Sequence, residues 1–445
     1  MPRRREGLFV NQPSGRPQYG HQRRPLSYWY VRLEGIVLLL VAPLLLIPGY
    51  APVVTALGLV LLGTVWLFSV YVLPLPATPF NLVLCLWAIT VIVGIVVSAD
   101  PGETLPKATG LILGLGAWRL VVMTARTRRA ALAVAVLLLL LSLAFSVVGI
   151  FGLQEFPKIP ALAQLNPFQP GELPGFNGLV VHPNQLAGLI CLFLPLLASL
   201  LIAPPVEFSS RLGRAVIFLA TLWTVWILLL TQSRGGWIGA GAGLIVLLFL
   251  WIMVLPRSRT RLALAAVFTT IAVLGFALVL WIGPGTLRDV WLNPPQETAV
   301  GTLTTLNFRK DLWPWAVTAV ADFPLSGVGL GAFREVAFRL YPLSMSPSFD
   351  IAHAHNIFLQ TALDVGLPGL VAYLALLFVA AAVGWRVARR GAGYRSISLG
   401  LLAGLAALHV YGLADALALG SKPGVVFWLG LGLLAAMNGQ TAVND

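Results

Sequence analysis

The sequence predicts an all-α, polytopic membrane protein: a helical bundle of about 12 transmembrane helices with one large loop that contains short helices. Three observations predict it. Of 445 residues, 58% are hydrophobic and only 10% charged, more apolar side chains than a soluble fold of this length can hide. The apolar residues come in successive runs of roughly 17 to 25, each long enough to cross a hydrocarbon core as a helix. The basic residues lie between those runs, so the net charge of +13 reads as membrane topology and not as a nucleic-acid surface. The 44 Gly and 31 Pro suit membrane helices, and Cys85 and Cys191, both inside apolar runs, read as small packing residues.

In chain order, residues 1–31 form a basic, Gly/Pro-rich tail expected to be disordered and cytoplasmic. Nine spans follow within 32–283: 32–50, 52–73, 79–98, 105–124, 129–151, 184–203, 212–231, 235–255 and 262–283. A large loop occupies 284–355, and spans 356–385, 396–415 and 423–438 complete the region 356–445. The long tail before the first run, with no small-residue cleavage site after it, favours a retained helix over a cleaved leader. Alternation places Arg126, Arg128 and Arg129, Arg211 and Arg214, Arg257, Arg259 and Arg261, and Arg386, Arg389, Arg390 and Arg395 on the side of the tail, with most of the 29 Lys and Arg. Arg119 is expected to snorkel from its span to that side. The outward loops are 152–183 and 284–355; in the second, NFRKDLWPWAVTAVADF and GAFREVAFRL have helical periodicity.

Candidate chemistry gathers on the outward side. TQSRGGWIG puts Arg234 at a span end, where Gly235 and Gly236 leave the backbone open to a ligand; the alternative is an interfacial anchor. Arg309 and Lys310 stand near a helix start, an arrangement that gains sense if an anion sits there, although Asp311 offers them a surface pairing. SGVGLGAF carries Gly327, Gly329 and Gly331 in a turn suited to exposed amides. In HAHNIFLQ, His353 and His355 precede a long span, where a neutral imidazole can take a proton from a hydroxyl and Asn356 can orient it. His182 joins them on that side. Zinc on the HxH pair with Asp350 would need further ligands; no HExxH or cysteine pair accompanies it, and neither metal nor cofactor is expected. Asp415 and Lys422 are read as a surface pair.

His355, Asn356, a nine-residue spacer, Gly366, two residues and Gly369 together resemble the signature of the O-antigen ligase and O-antigen polymerase superfamily. TQSRGGW, GFNGLVVHPNQLAG and NFRKDLWPWAVTAVADFPLSGVGLGAF resemble its other recurring segments in order, over about residues 170 to 420. The resemblance implies a bacterial inner-membrane glycosyltransferase, termini cytoplasmic and large loop periplasmic. Such an enzyme takes a glycan from undecaprenyl pyrophosphate within the membrane lipid and joins it to a glycan, lipid A core, protein or wall-polymer acceptor. It implies that Arg234 and Arg309 hold the pyrophosphate and that His355 activates the acceptor hydroxyl, an inverting reaction needing no metal. Asn356, Lys310, Asn184, His182 and His353 are expected to bind substrate. The chain departs from the family in NPFQPGELPGFNG, where Glu172 stands in a stretch that often carries an arginine; Lys158 is the available substitute.

Two other classes compete. A transporter of an anionic lipid would place ionisable groups near mid-membrane, where Asp364 and His409 come nearest. A scaffold would have no use for arginines and histidines on one side. Retaining-glycosidase logic has only Glu297 and Asp350 in the loop, and nothing marks them as a pair.

Overall fold

In a computed structural model, the residues described are 25–72, 76–152, 159, 162, 181–293, 295, 305–344, 351–417 and 420–443. Among them are fifteen α-helices and no strand. In chain order these are α1 (Pro25–Leu46), α2 (Pro52–Val72), α3 (Asn81–Val96), α4 (Pro101–Thr124), α5 (Arg128–Gly152), α6 (Pro183–Ile202), α7 (Arg211–Leu230) and α8 (Arg234–Val254). There follow α9 (Arg259–Ile282), α10 (Pro284–Leu292), α11 (Thr305–Asp322), α12 (Phe333–Leu340), α13 (Ile357–Arg390), α14 (Arg395–Tyr411) and α15 (Val425–Val443). Residues 1–24, Lys158, Glu172, Glu297 and Asp350, on which expectations were placed above, lie outside the described residues.

Each expected span coincides with a helix, although α1 begins at Pro25, ahead of the expected 32. Among the described residues, ten helices are long and apolar enough to cross a membrane. The other two expected spans are α3, with 16 residues, and α14, with 17. In α9 no residue is buried, and Leu274, Phe276, Leu280 and Trp281 are mostly exposed, an arrangement stable only against lipid. The protein is a multi-pass helical membrane protein.

At the centre of the bundle, α14 packs against α6 and α8, while α15 packs against α4 and α13 against α3. Arg119 of α4 does not snorkel. Its Nε donates to Glu34 Oε1 of α1 at 2.7 Å and its Nη2 to Ser69 Oγ of α2 at 2.8 Å, with Glu34 only 1% exposed. Burial selects the ion pair, since neither charge can sit unpaired in an apolar interior.

The long loop holds a helix that periodicity did not reveal, α10, started by Gly283 at φ +80° and by Pro284. Helices α11 and α12 share a small apolar core of Leu312, Ala316, Phe333 and Ala337 with Ile351 and Leu363. Tyr341 at the end of α12 donates its hydroxyl to Asp322 Oδ2 of α11 at 2.9 Å, and burial with that bond pushes the phenol up to about 12. The loop therefore docks on the first part of α13 as a packed unit.

Helix α13 is broken at Gly366, where φ is +74° and ψ 178°. A Cβ there would lie 2.5 Å from the Leu325 carbonyl oxygen, so only glycine fits. The SGVGLG turn seats in the break. The amides of Gly327, Val328 and Leu330 donate to the carbonyls of Phe323, Leu363 and Gly94, and the Gly331 amide donates to Asp364 Oδ1 at 2.9 Å. The turn's glycines do have positive φ, but the Gly327 and Gly331 amides, expected to face an anion, are spent on protein, because the turn is the plug that fixes the kink.

Candidate active site

The candidate site is built where several helix ends meet. Asn356 caps α13, its Oδ1 accepting from the amides of Phe358 and Leu359 at 3.0 and 3.1 Å. Its Nδ2 donates to the Leu413 carbonyl at 3.1 Å, which ties the start of α13 to the end of α14. The residue before it, His355, sits at φ +49°, an uncommon conformation for a side chain of this size. That turn aims the imidazole at the segment after α14, and its Nδ1 stands 3.3 Å from Asp415 Oδ1. His353 Nε2 lies 3.5 Å from the same oxygen, the two imidazole rings being 4.3 Å apart. Phe308 of α11 meets the His355 ring edge-on at 5.2 Å, and Trp313 Nε1 donates to the intervening Ala354 carbonyl at 3.0 Å.

Asp415, expected to be a surface partner of Lys422, is instead the buried hub, 4% exposed. Its Oδ2 accepts from Asn184 Nδ2 at 2.6 Å and its Oδ1 from the Ala416 amide at 2.8 Å. Burial alone would raise the carboxyl, but the His355 imidazole 3.3 Å away, the nearby His353 imidazole and the Ala416 amide hold it well below the ordinary carboxylate range. His353 moves the same way for another reason. Burial, then the nearby His355, outweigh the attraction of Asp415 and push its imidazole down to about 3, with Lys107 and His182 adding smaller repulsion.

The cations converge from two sides. Arg309 of α11 forks onto the Ala414 carbonyl, with Nε at 2.8 Å and Nη2 at 2.5 Å, and so occupies the C-terminal end of α14. Burial lowers this guanidinium from its ordinary value, with Asp415 opposing. Arg234, at the first position of α8, is near enough for its charge and that of Arg309 to repel. Helix α6 also starts here: His182 Nδ1 accepts from the Asn184 amide at 3.2 Å, and Tyr411 of α14 donates its hydroxyl to the Asn184 carbonyl at 2.7 Å. The N-termini of α6, α8 and α13 thus gather with two arginines, which makes the cluster attractive to an anion.

Of the candidates read from the sequence, His355, His353, Asn356, Arg309, Arg234, His182 and Asn184 are brought together. Lys310 is not. Its Nζ donates to the Leu292 carbonyl at 2.8 Å and lies 5.7 Å from the Trp291 ring, facing α10, while Asp311 accepts from the Ser344 amide at 3.0 Å. Gly236 does not open the backbone to a ligand either. Its Cβ would lie 2.6 Å from Ala187 Cβ, so it serves the contact of α8 with α6. Asp415 and Tyr411 were missed, and the available signal was an acidic residue ending an apolar run on the side of the histidines.

A nitrogen of each histidine and an Asp415 oxygen, all within 4.8 Å of one another, form a donor set able to hold a divalent ion. The arginines and helix N-termini around it favour negative charge instead.

A family model described as O-Antigen ligase matches residues 219–374. Over this segment the chain is similar to the O-antigen ligase superfamily. No curated protein matches the chain. The ligase segment holds Arg234, Arg309, His353, His355 and Asn356, and its signature spacing now has a physical reading. The histidine turn and asparagine cap start a short helix, Gly366 ends it, and Gly369 passes 3.1 Å from Thr90 Oγ1 of α3, measured from where its Cβ would be. Asn184 and Asp415 complete the cluster from outside the ligase segment. The match supports a membrane glycosyltransferase of the ligase and polymerase type.

Proposed function

We propose that the protein transfers a glycan from undecaprenyl pyrophosphate to an acceptor hydroxyl on the periplasmic face of the bacterial inner membrane, with both termini cytoplasmic. The observation that carries this reading is the convergence of the His355–Asp415 pair with Arg309, Arg234 and three helix N-termini at one end of the bundle. With Nδ1–H turned to Asp415, His355 Nε2 accepts the proton of the acceptor hydroxyl. The hydroxyl oxygen attacks the anomeric carbon from the face opposite the pyrophosphate, the C–O bond to pyrophosphate breaks, and the configuration inverts. The guanidinium of Arg234 and the positive charge of Arg309, whose Nε and Nη2 are held by the Ala414 carbonyl, take up the leaving group's charge, so no metal is needed for that step. His182, His353, Asn184 and Asn356 shape the acceptor side. Lipid A core, a growing glycan, a protein and a wall polymer all present the required hydroxyl.

The groups nearest mid-membrane do not favour a transporter. Asp364 accepts from Gln360 Nε2 at 2.8 Å and from the Gly331 amide, and His409 Nε2 lies 2.6 Å from the Tyr373 hydroxyl, so both are engaged in packing.

The test is transfer of radiolabelled glycan from undecaprenyl pyrophosphate by the purified protein, with chelator present, comparing wild type with His355→Ala and Arg234→Ala. Chelator-resistant transfer that both variants lose while remaining folded is the expected result. Normal turnover in either variant sinks the assignment, and loss of activity with chelator would make the His353–His355–Asp415 set a metal site.

A further inference from the structure

The backbone that carries His355 is held at each peptide. The His355 amide donates to His353 Nδ1 at 3.1 Å, which leaves the proton of the neutral His353 ring on Nε2, facing Asp415. The Ala354 carbonyl accepts from Trp313 Nε1 at 3.0 Å, and the Ala354 amide donates to Gln360 Oε1 at 2.8 Å. Ala354 is fully buried, so water cannot take the place of either partner. These bonds surround a residue at φ +49°, a conformation that a side chain as large as imidazole keeps only where its surroundings over-determine it.

Among these partners Gln360 passes the hold onward. It lies near the start of α13, 2% exposed, and its Nε2 donates to Asp364 Oδ1 at 2.8 Å, one helical turn further on. The same Oδ1 accepts from the Gly331 amide at 2.9 Å and lies 3.7 Å from Lys107 Nζ of α4. One oxygen therefore fixes the glutamine to the docked glycine turn and to a second helix. Volume does not explain the residue, because methionine fills a buried helical position of that size with no polar group to satisfy. A primary amide both accepts and donates, and the bridge from Ala354 to Asp364 uses both.

We propose that Gln360 is a positioning residue for the base: its bridge holds His355 in the left-handed turn that sets the imidazole against Asp415 and leaves Nε2 to the acceptor hydroxyl. Gln360 touches neither glycan nor pyrophosphate and acts through the peptide before His355. This rests on His355 being the base of the transfer proposed above.

The full-length protein in detergent is compared with three variants. Gln360→Met keeps the volume and loses the bridge, and Gln360→Asn keeps the amide but is one methylene too short to span it. In Gln360→Glu the new carboxyl and that of Asp364 share one proton, so the side chain still accepts from Ala354 and donates an O–H to Asp364. Hydrogen exchange over residues 351–356 reads the turn without turnover. It is expected to quicken about tenfold or more in Gln360→Met and Gln360→Asn and to stay as in wild type in Gln360→Glu. Steady-state transfer per folded protein is expected to lose about tenfold or more in kcat in the first two, with donor KM within about threefold, and to recover in Gln360→Glu. A role in stability alone would lower the melting temperature and leave kcat per folded protein unchanged. Exchange unchanged in both Gln360→Met and Gln360→Asn overturns the bridge. Quickened exchange with kcat within about threefold of wild type, or a Gln360→Glu no better than Gln360→Met, overturns its part in positioning the base. A wild type that transfers no glycan refutes the transfer itself, and the exchange comparison still decides the bridge.

Discussion

Replacing Asp415 by asparagine removes one charge and almost no volume. The Asn oxygen can still accept from the Ala416 amide, so the turn after α14 is expected to keep its shape, while the new Nδ2 faces Asn184, whose side-chain amide must turn its oxygen toward it. What it loses is a carboxylate 3.3 Å from His355 Nδ1 at the moment the imidazole becomes a cation. Two unit charges at that distance attract by about 5 kcal/mol at an effective dielectric of 20 and by about 1 kcal/mol in water. Asp415 is buried but His355 keeps partial contact with solvent, so an intermediate loss of about 3 to 4 kcal/mol is expected, or a fall in kcat of about 10² to 10³. The donor's KM should stay within about threefold, because its pyrophosphate is held by Arg234 and Arg309 and a loss confined to the transition state appears in kcat. Asp415→Glu, which keeps the charge, should recover part of the rate. The assay is steady-state glycan transfer with donor and acceptor varied separately, on protein whose melting temperature matches wild type. A kcat within about threefold of wild type in folded Asp415→Asn, or a defect lying wholly in donor KM, would refute the account of His355 as a base supported by Asp415.

Three further outcomes follow from the geometry. Gly366→Ala forces a side chain into φ +74° and against the Leu325 carbonyl, so a loss of about 2 kcal/mol or more is expected, read as a lower melting temperature and weaker docking of α11 and α12 by hydrogen exchange. Arg119→Met leaves Glu34 buried without its partner and should cost about 3 to 5 kcal/mol, whereas Arg119→Met with Glu34→Met should recover most of it; a single variant as stable as wild type would contradict the buried pair. Acid should destabilise the site. His353 is held neutral down to about pH 3 in the folded chain while its unfolded form protonates near 6.5, so unfolding takes up a proton and stability falls as pH drops across that interval. The depressed Asp415 carboxyl adds a loss of the same sign below the ordinary carboxylate range, and His353→Gln should flatten the slope above it.

Much of the architecture is local and could be read along the chain. Whether a run of residues spans a bilayer depends on its own length and apolarity, which is why every expected span has a helix. The extension of α1 back to Pro25 and the short α10 escaped; a glycine–proline break, not hydropathy, sets the start of α10. The histidine, asparagine and two glycines of the signature were equally readable, since their spacing reflects one turn, one cap and one kink within a single element.

Partnership was not readable. Asp415 follows an ordinary apolar run, and nothing near it in sequence says that it will lie under two histidines some sixty residues earlier and beside Asn184. Arg119 looked like a charge that snorkels to the interface until α1 and α4 closed over it with Glu34. The glycine turn looked open to an anion until the amides of Gly327, Val328, Leu330 and Gly331 found acceptors on Phe323, α13 and α3. Hydrophobic length and helix caps are properties of neighbouring residues and so belong to the sequence. The company of a buried charge is set by which helices pack side by side, and a group that burial forbids to remain alone acquires its role only when the tertiary fold supplies the partner.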